Sequence, residues 1–469
     1  MRDSISFFLN GVKKTVSGAD VFLPLSSYLR YEARLTGTKV VCAEGDCGAC
    51  TVMIAKWTPG QKQNRYESLN SCIAQTFAMD GASLVTVEAL ANENELSEVQ
   101  NAFVRNFGGQ CGFCTPGFVM AITSMLEVKA TPTEQNAKNY LTGNLCRCTG
   151  YAPILKAALD VDPKKHVRLK IRFPQGESAN MNQPIMIQHK GCELYAATTI
   201  EEACAYKQKN PDVVLFSGST DLGVQLNKGH LNPTKIMSLH LIEKLYERKI
   251  ENAEVFVGAK VTLSELQALI AEKVPSLDQF LNIFASPQIK NAATLVGNLA
   301  NASPIADLTP VLMSLDAQLE MMGTGGPKKV NLSDFYLGYK KTRLAADEII
   351  TGIRFKIPEK NRHIENYKIS QRRDLDISAV NASFNLQIEN KKIISARVSL
   401  GGVAATTVRA TAFENELCGQ EFKNLDIPKL KKMLADSVQP LSDVRGSSEY
   451  RKILVGNLFE KYASEHLNA

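Results

Sequence analysis

The chain has 469 residues, 44% of them hydrophobic and 22% charged, with a net charge of +6; at about 100–200 residues per domain it must hold several cores, and its composition excludes extended disorder. Basic residues are spread out except for Lys164, Lys165, His166, Arg168, Lys170 and Arg172, which read as a solvated linker, and a single Trp leaves no stacking face for nucleic acid. No apolar run approaches the roughly 18 residues of a membrane span and no secretory signal opens the chain, which predicts a cytoplasmic protein with neither membrane nor nucleic-acid partners.

In chain order, Ser4 to Leu9 alternates and then turns at Asn10-Gly11, the pattern of a strand entering a hairpin. Leu25 to Leu35 predicts a helix, while Thr51 to Ala55 and Ser83 to Val87 predict strands. Eight of the eleven cysteines fall between Cys42 and Cys148, and a reducing compartment argues against disulfides. Cys42, Cys47 and Cys50 are spaced C-x4-C-x2-C with Cys72 following, the plant-type ferredoxin pattern for a [2Fe–2S] cluster. Gly45 and Gly48 let backbone N–H groups wrap an anionic core, where side chains would obstruct the inorganic sulfides. A structural zinc ion is the competing use of such a quartet. Cys192, Cys204 and Cys418 are predicted to be small buried hydrophobes.

A second set combines Cys111-x2-Cys114 with Cys146-x-Cys148. Thr115 and Pro116 predict the cap and first turn of a helix running through Phe118 to Leu126, which sets the thiolates at a positive helix end. Thr133 to Leu141 and Ala152 to Leu159 predict two more helices, with Gly143-Asn144 as a stop between them. These four cysteines alone would also suit zinc; beside the first set they predict a second cluster and an electron relay.

The segments Gln110-Cys111-Gly112-Phe113-Cys114-Thr115-Pro116-Gly117 and Asn144-Leu145-Cys146-Arg147-Cys148-Thr149-Gly150-Tyr151 resemble the second-cluster module of the xanthine dehydrogenase and aldehyde oxidase family of molybdenum hydroxylases. The resemblance implies two [2Fe–2S] clusters, on Cys42, Cys47, Cys50 and Cys72 and on Cys111, Cys114, Cys146 and Cys148, the latter nearer molybdenum. It also implies that Gln110 hydrogen-bonds a molybdopterin cofactor on another domain or polypeptide; a solvent-facing Gln is the alternative.

Further along, Val213 to Phe216 predicts a strand that delivers the small-residue turn Ser217-Gly218-Ser219-Thr220, either a pyrophosphate cradle or an ordinary strand-to-helix turn. The segment from Phe284 to Asp307, rich in small residues and amides, resembles the FAD-binding signature of the same family, whose flavin domain is similar to that of vanillyl-alcohol oxidase and has no G-x-G-x-x-G motif. By that resemblance Leu215, Phe216, Ser217, Gly218, Ser219 and Thr220, with Thr294, Gly297, Asn298, Asn301, Ser303 and Asp307, surround FAD. Phe284 would lie near the isoalloxazine, unless it is a core aromatic. Lys368 and Asp376 fall where the family keeps a lysine and an acid at the flavin edge, the candidate catalytic pair. Leu375 departs from an acidic residue of vertebrate members in the loop that shapes the nicotinamide site.

Gly323-Thr324-Gly325-Gly326-Pro327-Lys328 lacks a phosphate-loop ending and predicts a hairpin turn. Val380 to Ile388, Lys392 to Leu400 and Val403-Ala404 predict strands, and Ile427 to Val438 and Glu449 to Ala463 helices. The six histidines show no ligand spacing, and no nucleophile motif supports hydrolysis.

The expected architecture is α+β and multidomain: a ferredoxin-like β-grasp domain (1–90), a four-helix [2Fe–2S] domain (91–160), a linker (161–183), a vanillyl-alcohol-oxidase-like FAD domain (184–364) and a small α+β C-terminal domain (365–469). The resemblance implies the iron–sulfur and FAD small subunit of a bacterial-type xanthine dehydrogenase, with NAD as acceptor and a large molybdopterin-binding subunit as partner in a heterodimer or dimer of heterodimers. A sibling enzyme oxidising an aldehyde or N-heterocycle, a free-standing iron–sulfur flavoprotein electron carrier and a zinc-stabilised scaffold are the alternatives.

Overall fold

A computed structural model describes residues 1–59, 65–92, 95–128, 130–173 and 181–466. Part of the expected linker, 174–180, lies outside the described residues. The chain forms two compact units, one comprising Met1–Tyr246, Thr262–Ser264 and Ala285–Ala293, the other Glu247–Val261, Glu265–Phe284 and Thr294–Ala469.

The first unit opens with β1 (Ile5–Leu9), β2 (Val12–Val16), β3 (Thr51–Ala55), β4 (Glu67–Asn70) and β5 (Ser83–Val85) in the order β2-β1-β5-β3-β4. β1 buries Ile5, Phe7 and Leu9 on alternate positions and turns through Asn10 and Gly11, at φ 52° and 85°, as its alternation requires. Two expectations shorten here. The helix starting at Leu25 is regular only over Leu25–Ser27 and passes into a wider turn at Tyr28–Glu32. β5, expected to reach Val87, stops at Val85, because Val87–Ala89 forms a 3₁₀ turn.

Four helices follow, Glu98–Arg105, Thr115–Glu127, Glu134–Leu141 and Ala152–Leu159. Thr133 caps the third through its hydroxyl, which accepts from Asn136 N at 3.3 Å. Thr115, expected as the cap of the second, is instead its first residue: Cys114 holds the cap position with αR backbone, and the buried Thr115 hydroxyl has no partner. The basic stretch is likewise not a solvated linker throughout. His166 Nε2 lies 2.7 Å from the buried carboxylate of Glu127, Arg168 bonds the Glu127 carbonyl, and Arg172 donates to Leu90 O at 2.6 Å and Ala89 O at 2.8 Å.

A second sheet, β6 (Ile185–His189), β7 (Cys192–Ala196), β8 (Val214–Phe216) and β9 (Lys235–Ser238) in the order β6-β7-β9-β8, shares a core with the first. Ile5, Phe7 and Phe77 pack in one cluster with Ile185, Leu194, Phe216 and Leu241, and the Phe77 and Phe216 rings meet edge to face at 5.3 Å. A buried polar tie accompanies it. Asp80 accepts two bonds from Arg2 at 2.8 and 3.0 Å and one from Ser6 N at 3.0 Å, and faces His240 Nε2 at 3.3 Å.

In the second unit, β10 (Arg248–Glu251), β11 (Glu254–Gly258), β12 (Gln318–Gly323), β13 (Gly326–Asn331) and β16 (Ile349–Lys356) form a sheet ordered β10-β11-β16-β12-β13, beside a small ribbon of β14 (Tyr336–Gly338) and β15 (Lys341–Thr342). The glycine string is the β12–β13 hairpin turn, as its lack of a Lys-Ser ending predicts. β17 (Arg362–Ile369), β18 (Val380–Glu389), β19 (Lys392–Gly401) and β20 (Val408–Arg409) make the last sheet, whose core includes Phe384 stacked on Tyr462 at 5.0 Å. Val403-Ala404 is not a strand: Gly402, at φ 78°, turns the chain out of β19 and pairing resumes only at Val408. The last helices are Ile427–Asp436 and Ser448–His466. Of the three remaining cysteines only Cys204 is buried; Cys192 is half-buried and Cys418 exposed.

Candidate functional site: two thiol quartets and a small-residue cradle

The first quartet is built by a loop in which Ala43, Gly45 and Gly48 all take positive φ (55°, 80° and 66°), winding main-chain N–H groups toward the sulfurs. Glu44 N and Cys47 N point at Cys42 Sγ from 3.5 and 3.4 Å. Asn70 Nδ2 donates to Gly45 O at 2.7 Å and the Ser71 hydroxyl to Cys50 O at 2.7 Å, which brings Cys72 alongside. The thiols interact in pairs. Hydrogen bonds from Cys47 and Cys72 pull Cys42 down, a bond from Cys72 does the same for Cys50, and Cys47 and Cys72 are pushed up by giving those bonds. Thiols that raise one another in this way resist ionising together, and positive metal ions would favour the thiolate form of all four.

The glycines have a further reason to be glycine. A Cβ on Gly45 would meet Ile73 and Ile289 at 2.7 and 3.1 Å, and one on Gly48 would meet Gly143 O at 2.3 Å and Asn144 Nδ2 at 2.4 Å. Neighbouring protein, as well as any sulfide, forbids the side chain. The Thr220–Asn227 helix closes the other side: Gly223 lies on Ile73 O, where a Cβ would come within 2.1 Å, and Asn227 Nδ2 donates to Ala43 O and Cys72 O, both at 2.8 Å.

The second quartet repeats the pairing. Cys148 Sγ lies 3.5 Å from Cys111 Sγ, and the Thr149 hydroxyl donates to Cys146 Sγ at 3.1 Å. The main-chain N–H of Phe113 draws Cys111 down and the bond to Cys111 raises Cys148. Burial, then Cys146, pushes Cys114 up to about 12; at Cys146 burial acts the same way but is outweighed by Thr149. Cys111 and Cys148 are exposed, unlike Cys50 and Cys72. Gln110 is exposed beside them, with Phe107 81%, Phe113 48% and Tyr151 44% exposed. Phe107 is held in a left-handed conformation, φ 51°, an unusual one for so bulky a residue.

Elsewhere in the first unit, β8 ends in the Ser217–Thr220 turn. Gly218 lies on Ala292 and Ala293, where a Cβ would fall 2.2 Å from Ala292 O. Ser219 is left-handed at φ 58°, and its buried hydroxyl has no partner. Leu215 is half-buried, while the Phe216 ring belongs to the core, leaving its main chain to the turn.

In the second unit, the Thr294 hydroxyl accepts from Gly297 N at 3.0 Å, and Asn298 has a buried Oδ1 without a partner. Asn301 and Ser303 follow, both half-buried, as is Phe284 at the end of its helix. Orphan oxygens at Ser219 and Asn298 would each cost about 1–3 kcal/mol unless a ligand met them. Residues that spare space and hold unspent hydrogen bonds fit a polar, phosphate-bearing cofactor. Asp307 and Lys368 form a buried pair, Nζ to Oδ2 2.5 Å, joined by Ser378 Oγ at 2.5 Å and Asn381 Nδ2 at 2.7 Å from Asp307 Oδ1. The sequence expected Asp307 to face the cofactor; its carboxylate is taken up by these three partners. Asp376 closes its own loop, accepting from Arg372 N at 3.0 Å and Ile377 N at 3.1 Å, with Leu375 at φ 64°. Burial, which raises the Asp376 carboxyl, is outweighed by those bonds and by Arg372.

The contacts made by Asn144, Gln288, Asn227, Ser378 and Asn381 are not legible in the sequence, because each acts across chain separations that no local pattern reveals. Among neighbours so rich in glycine and small residues, the amide side chains were the available signal.

Residues 86–159 match the family described as [2Fe-2S] binding domain, residues 188–359 the FAD binding domain in molybdopterin dehydrogenase, and residues 365–466 the CO dehydrogenase flavoprotein C-terminal domain. The chain is 31% identical to xanthine dehydrogenase of Drosophila subobscura, over 97% of its own length and 38% of that protein. It is 30% identical to xanthine dehydrogenase of Emericella nidulans, covering 90% and 35%, and 28% identical to xanthine dehydrogenase/oxidase of Gallus gallus, covering 98% and 40%. The chain thus spans about two fifths of the curated relatives it matches. Among solved structures it resembles a Cu,Mo-CO dehydrogenase chain, with TM-score 0.55 and 25% identity over 59% of this chain and 97% of that one. For quinoline 2-oxidoreductase from Pseudomonas putida 86 the values are 0.54 and 24%, over 58% and 95%, a likeness of fold. No helix among the described residues is long and apolar enough to cross a membrane.

Proposed function

From the chain's membership in the xanthine dehydrogenase family of molybdenum hydroxylases, we propose that it is the iron–sulfur and FAD part of a xanthine dehydrogenase. It serves a molybdopterin-bearing subunit of the bacterial type in the cytoplasm, where hypoxanthine and xanthine are hydroxylated to urate and NAD+ is the final acceptor. The carrying observation is the pair of thiol quartets, one with two buried thiols and one with two exposed thiols, on the same unit as the Ser217–Thr220 turn. We take the domain limits as 1–90, 91–160, 184–364 and 365–469, joined by 161–183. When bound, two [2Fe–2S] clusters supply one-electron transfer, and FAD converts single electrons into a pair.

The chain's own residues do the rest. Cys111, Cys114, Cys146 and Cys148 hold their centre where Cys111 and Cys148 reach the surface, and Gln110 offers an amide to the pterin on that same face. Phe107, Phe113 and Tyr151 exclude water when the molybdenum-bearing subunit covers them. Cys42, Cys47, Cys50 and Cys72, the first quartet, hold the other centre deeper, with Cys50 and Cys72 buried and Cys42 and Cys47 half-buried. Leu215 through Thr220 are candidates to supply main-chain and side-chain donors to a pyrophosphate, and Thr294, Gly297, Asn298, Asn301 and Ser303 are likewise candidates for FAD contacts. Phe284 supplies an apolar wall. Lys368, anchored by Asp307, sets a fixed positive charge at the flavin edge, and Asp376 shapes the loop that admits the nicotinamide.

The test is isolation of the native assembly, with metal and flavin analysis and an assay of xanthine-dependent NAD+ reduction. Cys72→Ser and Cys148→Ser should each remove about half of the iron and sulfide, from spectroscopically different centres. Zinc in place of iron, or turnover of another heterocycle but not of xanthine, would contradict the reading.

A further inference from the structure

Between the two thiol quartets lies a buried knot of amide side chains that no step above uses. Asn144, 3% exposed, donates from Nδ2 to Gly48 O at 3.1 Å. Its Oδ1 accepts from Gln288 Nε2 at 2.8 Å, and Gln288 is 1% exposed. The second Gln288 hydrogen is aimed at Thr51 Oγ1, 3.4 Å away, while the Thr51 hydroxyl itself donates to Gly48 O at 2.6 Å. Three glycines admit this knot. A Cβ on Gly117 would lie 2.3 Å from Gly48 O, one on Gly143 would lie 2.5 Å from Gln288 Oε1, and Gly48 is closed off by Gly143 O and Asn144.

The knot guards one contact. Leu145 N donates to Cys47 O at 3.0 Å, so a ligand residue of the first quartet is one hydrogen bond away from the residue preceding Cys146 of the second. That is a short bonded route from one set of sulfurs to the other. Asn144 is the immediate neighbour of Leu145, and its amide can hold Gly48 O only with the nitrogen facing Gly48. Gln288 enforces that orientation, because its Nε2 can only donate and so requires the Asn144 oxygen. Gln288 Oε1 has no hydrogen-bond partner, so donation is the side chain's whole contribution. Gln288 arrives from Ser286–Ala293, whose far end, Ala292 and Ala293, underlies Gly218 of the candidate cofactor turn.

We infer that Gln288 is a positioning residue for exchange between the two centres: through Asn144 it fixes the Leu145–Cys47 hydrogen bond and with it the spacing and electronic contact of the two thiol sets. This rests on the reading that both quartets hold [2Fe–2S] clusters. What the knot sets is a tunnelling gap; no bond is made or broken and no proton moves.

The experiment uses the full protein with its cofactors. Gln288→Ala should keep wild-type iron and flavin, yet weaken the spin–spin interaction between the reduced centres in electron paramagnetic resonance. The Leu145 amide should exchange about tenfold faster, the equivalent of about 1.4 kcal/mol. Gln288→Glu separates donation from packing. An ionised carboxylate cannot donate to Asn144, so the wild-type coupling should return only at low pH, where the carboxyl is protonated and can donate. Unchanged coupling and Leu145 exchange in Gln288→Ala, or a Gln288→Glu protein indifferent to pH, would overturn the inference. Wild-type protein lacking two distinct cluster signals would overturn the underlying reading as well, whereas two coupled signals that ignore Gln288 would overturn the inference alone.

Discussion

Replacing Lys368 by Met asks whether its ammonium serves the flavin or the fold. The side chain is 1% exposed and Asp307 8%, and Nζ sits 2.5 Å from Asp307 Oδ2 and 2.9 Å from Ser378 Oγ. Removing one member of a buried ion pair costs about 3–5 kcal/mol, because the remaining charge stays desolvated. Asp307 would keep Ser378 and Asn381 as donors, which places the expectation near ~3 kcal/mol. For a unit of about two hundred residues that corresponds to ~6–12 °C in its calorimetric transition. Asp307→Asn should cost a similar amount, since it strands the lysine, and the double variant should be more stable than the sum of the two by about 1–3 kcal/mol. Flavin content, read from absorbance in the same samples, separates the two roles. A Lys368→Met protein that melts within about 1 °C of wild type would show that Asp307 does not depend on this cation, and the buried-pair reasoning would fail.

At Asp80, burial alone would raise the carboxyl, but His240 and Arg2 outweigh it and hold it low. A depressed folded value means stabilisation present above the unfolded pKa of about 3.9 and lost as pH falls through the folded one. Acid titration of stability should therefore fall off below about pH 4, and Asp80→Asn should flatten that limb while lowering stability at neutral pH; an unchanged limb would remove Asp80 from the account. Gly218→Ala drives a Cβ to 2.2 Å from Ala292 O, an overpacking of about 1–3 kcal/mol. Flavin affinity should drop about tenfold to a hundredfold with iron unchanged, and full flavin occupancy in that variant would take the turn out of the binding site.

Much of the local structure around the candidate site was legible because it is written in local spacing. A C-x4-C-x2-C loop with Gly45 and Gly48 has few other conformations open to it, and Ile5, Phe7 and Leu9 declare a strand by alternation. The helices around Cys111 to Cys148 follow from caps and periodicity, with an error of one residue at Thr115, where Cys114 holds the cap position without a side-chain cap bond. The basic stretch was misread for a different reason. Arg172 and His166 look like solvent-facing charge until the Ala89–Ala91 carbonyls and the buried Glu127 are brought to them.

Sequence by itself singled out the two cysteine sets as candidate metal ligands, since ligand type and spacing constrain neighbours along the chain, and the flavin candidates came from the family resemblance. It also announced the α+β, multidomain order of elements through hydrophobic period. Only the tertiary structure decided how these parts meet. Asn144 and Gln288, 144 residues apart, share a hydrogen bond, and Lys368 and Asp307, 61 apart, share a buried charge. Gly48 is closed off by Gly143 and Asn144 from the helical segment. Such contacts depend on close packing of surfaces that are remote in the chain, where a few tenths of an ångström separate a fit from a clash, and no window of sequence contains both sides of them.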